Sequence, residues 1–306
     1  MKKFWKSVLY AAGFFGLYLG TQFLVVFAYA FSLGIQAGIS IGTSNVIPDF
    51  EVMFAQITEQ LLGASTMLSS LSGILLLAIL FILFLARKKS PFREMGFRPV
   101  SPICLLPLLL LGACANIVLV YLLNLLPESL LMDYMDSAEL LSRGSPFWSI
   151  LATVVVAPLV EEIIFRGLMF SRLRRGMPVF WAAAAVSVFF ALMHGHMLWI
   201  SYAFILGILL IYTAWKFNST WASLAIHFAF NGANIVLGYM TLDDTMSLVL
   251  LIAAGAGLIA SFVWLVLQPG PAKPIAPPAM PPLQAESAPA KCSSVPTQED
   301  SSCDGI

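Results

Sequence analysis

The stretch Val160-Glu161-Glu162-Ile163-Ile164-Phe165-Arg166 sets two carboxylates and a guanidinium inside an apolar run from Phe147 to Phe170. A charged side chain at bilayer depth costs roughly 2.5–3.5 kcal/mol on insertion scales, so three of them together require a reason. Glu162 and Arg166 stand at i and i+4, on one helix face and within ion-pair reach. Glu161 points about 100° away and has no local partner. An ionisable group inside a membrane without a structural partner is a candidate functional group.

The rest of the chain supplies the membrane. Of 306 residues, 59% are hydrophobic and only 10% charged. Soluble domains are nearer a quarter charged, so the composition points to an all-α, polytopic bundle and gives no basis for nucleic-acid binding. Hydropathy predicts about eight transmembrane helices: Val8–Phe31, Met67–Ala86, Ile103–Leu126, Phe147–Phe170, Val179–Met193, Leu198–Trp215, Thr220–Met240 and Met246–Leu267. Ala28-Tyr29-Ala30 near the end of the first span resembles a signal-peptidase site, but an apolar run of about 20 residues exceeds the usual 7–15 of a signal peptide. The expectation is a retained span. The four cysteines, Cys104, Cys114, Cys292 and Cys303, have neither metal-ligand nor disulfide-framework spacing.

Basic residues set the expected orientation. Lys2, Lys3 and Lys6 precede the first span, and Arg87, Lys88, Lys89, Arg93 and Arg98 follow the second. Arg172, Arg174 and Arg175 follow the fourth, and Lys216 follows the sixth. The opposite loops carry acidic residues and a single basic one, Arg143. The positive-inside rule then puts both termini in the cytoplasm of a multi-pass protein of the cell inner (plasma) membrane. The transmembrane bundle is expected to fill residues 1–268. From 269 to 306 the chain turns rich in Pro, Ala and Ser, which predicts a disordered cytoplasmic tail. It ends Cys303-Asp304-Gly305-Ile306, formally a C-a-a-X box, but the two middle residues are not aliphatic.

Two later spans carry the polar residues that can meet the glutamates. Phe190 and His194 share one face at i, i+4, as do His227 and Asn231. The chain has just three histidines. Two of them lie in spans facing a carboxylate-bearing helix, which points to one shared site. A lone membrane histidine would instead be read as an interhelical hydrogen-bonding residue. His196, at the end of its span, is expected at the interface with no catalytic role.

Glu161-Glu162-x-x-x-Arg166, Phe190-x-x-x-His194 and His227-x-x-x-Asn231, in order on separate spans, resemble the three motifs of the CPBP family. That family comprises CaaX prenyl protease 2 and related bacterial, Abi-like membrane proteins. The resemblance covers about Phe147 to Gly238, a protease core of about 147–240. It implies an intramembrane endopeptidase, hydrolysing a peptide bond of a membrane-bound or lipidated protein within the lipid bilayer. By that similarity Glu161 activates a water with His194, while His227 and Asn231 stabilise the oxyanion. Glu162, Arg166 and Phe190 are supporting residues. The chemistry is sound in itself: a carboxylate assisted by imidazole takes a proton from water, and fixed donors hold the tetrahedral intermediate.

No cofactor is required by that scheme. The alternative is a zinc ion held by Glu161, His194 and His227 with an open fourth position. Counting along the fifth span puts His194 about 22 Å from its start, and Glu161 is expected nearer the inner face, so the fifth span must start deeper or tilt. Two other functions compete with proteolysis. One is a non-enzymatic immunity or scaffold protein of the same fold. The other is a transporter or proton pathway, disfavoured because the chain shows no internal repeat.

Overall fold

A computed structural model describes residues 1–44 and 49–270, so the expectation for the 269–306 tail falls almost wholly outside the described residues. Among the described residues every regular element is a helix. In chain order these are α1 (Lys2–Ser44), α2 (Phe50–Gly63), α3 (Ser65–Ala86), α4 (Pro91–Glu94), α5 (Pro102–Leu123) and α6 (Glu128–Ser142), then α7 (Pro146–Leu173), α8 (Val179–Leu192), α9 (Met197–Phe217), α10 (Thr220–Gly238) and α11 (Asp244–Leu267).

Six of these are long and apolar enough to cross a membrane: α1 (to Thr43), α3, α5, α7, α9 and α11. The other two expected spans are helices in the right places but differ in kind. α8 has 14 residues, about 21 Å at 1.5 Å per residue, short of a hydrocarbon core of about 30 Å. α10 gives up apolarity to carry His227 and Asn231. α1 greatly exceeds its expected span: its 43 residues make a rod of about 65 Å. Two segments read as acidic loops are in fact the helices α2 and α6.

α7 is the axis of the bundle. Every residue from Glu162 to Phe170 is buried, and α1, α3, α8, α9 and α10 pack around the helix. A helix apolar all round has no solvent-facing side and belongs at the centre. Its backbone is not uniform, which the sequence reading did not foresee. It widens into π turns at Leu151–Val156 and again at Glu162–Phe170. Pro158 accounts for the first widening: it has no N–H for the carbonyl four residues back, and its ring crowds that carbonyl. The second holds Glu162 and Arg166, in keeping with the concentration of π turns at functional sites.

Close backbone contact fixes the neighbours of this axis. α5 packs along both α10 and α11. At its crossing with α10, a Cβ on Gly112 would collide with the Ile226 carbonyl. Small residues allow such approach where no hydrophobic effect drives helices together in lipid. Lys216, counted above only as a basic residue after a span, is 7% exposed. Its Nζ donates to the Val266 carbonyl at 2.7 Å and to the Tyr212 hydroxyl at 3.1 Å, so it closes the C-terminus of α11 with a cation.

Candidate active site

The two adjacent glutamates have opposite surroundings. The Glu162 side chain is completely buried, and its Oε1 accepts from Arg166 Nη1 at 2.9 Å. Arg166 is equally enclosed: its Nη2 donates to the Gly207 carbonyl at 3.4 Å, and its guanidinium lies 4.2 Å from the centre of the Phe190 ring. A buried pair of this kind needs both partners and their added hydrogen bonds. The Glu161 side chain keeps 17% of its surface accessible and turns to α10.

His227 of α10 sits between the two carboxylates. Nδ1 lies 2.9 Å from Glu162 Oε1, and Nε2 lies 3.6 Å from Glu161 Oε2. The carboxylate at Nδ1 holds a proton on that nitrogen and sets the ring so that Nε2 faces Glu161. This tie to Glu162 was not read from the sequence, which treated Glu162 only as the partner of Arg166.

His194 follows α8 in a turn, with its ring centroid 4.9 Å from that of Phe190. Phe190 in turn lies 5.9 Å from His227, so one aromatic ring supports both histidines and the Arg166 guanidinium. His194 Nδ1 is 2.9 Å from the Phe190 carbonyl. A carbonyl only accepts, so Nδ1 carries a proton, and Nε2 is the ring nitrogen left for other contacts. The expected difference in depth between Glu161 and His194 is small. α7 runs on to Leu173, which puts Glu161 about 18 Å from that end, against about 22 Å for His194 from the start of α8.

Asn231, one turn beyond His227, donates from Nδ2 to the Thr153 carbonyl at 2.8 Å. Thr153 lies in the first π turn of α7. An amide carries two N–H donors, so one is committed to Thr153 and the other remains. No motif in the sequence singles out Thr153, because its carbonyl carries the contact. His196 caps the start of α9, its Nδ1 accepting from Leu198 N at 3.3 Å, with its ring against Tyr134 and Trp199.

The zinc alternative asks for three ligands at one point. Among the described residues no three of His, Cys, Asp and Glu converge in a way that could hold a metal ion. Glu161 and His227 Nε2 face one another, and among the described residues no third donor joins them. The donor set does not fit a metal as arranged.

Residues 143–233 match the family model of the type II CAAX prenyl endopeptidases, Rce1-like. The segment is Rce1-like. This agrees with the CPBP resemblance and supports a CAAX-type membrane protease at the level of the family. The Rce1-like segment contains α7, α8 and α9 and most of α10, and therefore every side chain of the site just described. No curated protein and no solved structure matches the chain.

Proposed function

We propose that the protein is a membrane-embedded endopeptidase, with Glu161 as the group that takes a proton from the attacking water. The observation that carries this reading is the asymmetry of the two glutamates. Glu162 is buried and committed to Arg166 and His227, whereas Glu161 is partly accessible and meets His227 Nε2 at 3.6 Å.

In the reaction, water held between Glu161 and the His194 Nε2 lone pair attacks a peptide carbonyl. Its proton passes to Glu161, and a tetrahedral oxyanion forms. His227 Nε2 and the second Asn231 N–H receive that oxyanion; fixed donors of this kind are each worth roughly 3–4 kcal/mol in comparable sites. Donation from Nε2 requires a second proton on the His227 ring, since Nδ1 already carries one. Glu161 then returns its proton to the leaving amine, and the C–N bond breaks. No metal takes part.

The substrate is a membrane-bound or lipidated protein reached through the bilayer, cut near the cytoplasmic side. Both termini lie in the cytoplasm and the host membrane is the cell inner membrane, on the strength of the basic residues that flank α1, α3, α7 and α9. Comparative membrane proteomics of cells carrying wild type and Glu161→Ala tests the whole reading. A membrane protein whose shorter form disappears with Glu161→Ala is expected. Identical processing in the two strains, with a retained cellular phenotype, would replace the peptidase by a scaffold.

A further inference from the structure

A second concave site lies on the basic face of the bundle, at the other end of Arg166 from the glutamates. It is a cavity of about 220 Å³ walled by three separate segments: α4 with the loop after it, the end of α7, and the turn from α9 into α10. Six arginines border it; Arg166 and Arg172 are paired with Glu162 and Glu94, which leaves Arg93, Arg98, Arg174 and Arg175. None of these four has a carboxylate partner among the described residues. The one acid in the wall, Glu94, is already taken by Arg172 and by Lys89 at 3.5 Å. Ordinary positive-inside anchoring scatters basic residues along a rim and does not require them to converge on a hollow.

The convergence is built, not incidental. The loop after α4 is clamped to the start of α10. Thr220 N donates to the Gly96 carbonyl at 3.0 Å, and Thr220 Oγ1 to the Met95 carbonyl at 3.0 Å. Ser219 Oγ donates to the Arg98 carbonyl at 2.7 Å. Gly96 makes this possible at φ +86, a backbone conformation that side chains rarely adopt. Its neighbour across the contact is Gly167, where any Cβ would meet the Met95 carbonyl. Opposite this loop, Asn218 at φ +50 offers Oδ1 to Arg174 Nη2 at 3.5 Å, and the Arg174 guanidinium lies 5.6 Å from the Phe170 ring. Burial, then Arg98 and Arg175, lower the affinity of Arg174 for its proton, so these guanidiniums do sense one another. The positive end of the α10 dipole adds to the same field.

We propose that this pocket binds a phosphate group, supplied by an anionic phospholipid headgroup or by a free phosphate compound. Guanidinium forks match phosphate oxygens two at a time, and a phosphate offers more acceptors and more charge than a carboxylate, which one fork satisfies. The cavity lies below the roughly 300–1,000 Å³ of drug-sized sites, which suits a headgroup and not a large ligand. Neither the cavity nor its ligand depends on peptide cleavage.

Two probes identify the source. The full chain in nanodiscs of zwitterionic lipid is titrated with inorganic phosphate, with acetate at equal ionic strength as the reference. Separately, it is reconstituted with phosphatidylglycerol, and retained lipid is read by native mass spectrometry. Stabilisation by inorganic phosphate identifies a free compound; retention of phosphatidylglycerol without a phosphate effect identifies the headgroup. In either case the double variant Arg98→Gln, Arg174→Gln is expected to weaken binding by about ten- to a hundredfold. Arg87→Gln, which removes one charge from the same face outside the pocket, should leave it unchanged. Should the double variant fold poorly, Arg98→Lys with Arg174→Lys keeps the charge, loses the forks and is expected to bind with intermediate strength. Equal binding by wild type and the lysine variant, an equal loss in Arg87→Gln, or acetate acting as well as phosphate would each overturn the assignment.

Discussion

His227 and Glu162, 65 residues apart in the chain, are joined by a 2.9 Å contact between Nδ1 and Oε1, and the same oxygen accepts from Arg166. One buried carboxylate thus balances a guanidinium and orients an imidazole. Glu162→Gln should weaken both ties. Breaking one side of a buried pair costs about 3–5 kcal/mol, and because Gln keeps one acceptor oxygen the lower end applies. A lower unfolding temperature in detergent and a loss of turnover are expected together. Glu161→Gln should lose turnover and unfold like wild type. A Glu162→Gln protein as stable and active as wild type would show that the pair does not hold the site.

Asn231 gives one N–H to Thr153, and in the proposed mechanism its second N–H meets the oxyanion. A group that acts only on the developing oxyanion contributes to the transition state and not to substrate affinity. Asn231→Ala should therefore slow single-turnover cleavage by about 100- to 1000-fold with substrate binding unchanged. Asn231→Asp should do worse, because it sets a carboxylate against the Thr153 carbonyl and costs stability as well. A loss of binding in place of rate would mean that Asn231 only shapes the groove.

Much of this site was legible in the sequence because charge is so rare in the chain. Two glutamates and an arginine in an apolar run announce a buried pair, and the i, i+4 spacing assigned Glu162 to Arg166 correctly. The same reasoning gave Glu161 no partner on its own helix, and its contact is across to His227 of α10 at 3.6 Å. What stayed hidden is carried by backbone or by distance. Thr153 acts through a carbonyl, the same for every residue type. The first π turn of α7 follows from Pro158 only once the helix is known to continue past it. The tie from His227 to Glu162 crosses between helices, and one sequence holds no record of which face of α10 meets α7. The bond from Lys216 to the Val266 carbonyl was hidden for a similar reason: the sequence counts it only as a basic residue after a span.

Glu94 makes the basic face sensitive to acid. Burial raises its pKa, but Arg172 and Lys89 outweigh that effect and hold it below the ordinary 4.5. A carboxylate depressed in the folded state contributes stability that is fully present above its unfolded value. That contribution is lost as pH falls from about 4.5 through the lower folded value. Wild type should therefore lose stability on that acid branch faster than Glu94→Gln, in unfolding temperatures measured from neutral pH downward. Parallel curves would mean that the ion pairs with Arg172 and Lys89 contribute nothing.

Chelation separates the proposed chemistry from the zinc alternative. With Glu161 as base and His227 as donor, turnover by the purified protein should survive exhaustive treatment with a strong chelator. His227→Ala should then lose turnover without any change in metal content. A zinc ligand behaves otherwise, because its removal releases stoichiometric metal while Asn231→Ala retains it. The geometry favours the first outcome, since among the described residues no third donor joins Glu161 and His227 Nε2. Should chelation abolish turnover and added zinc restore it, a zinc ion held by Glu161, His194 and His227 would replace the metal-free scheme.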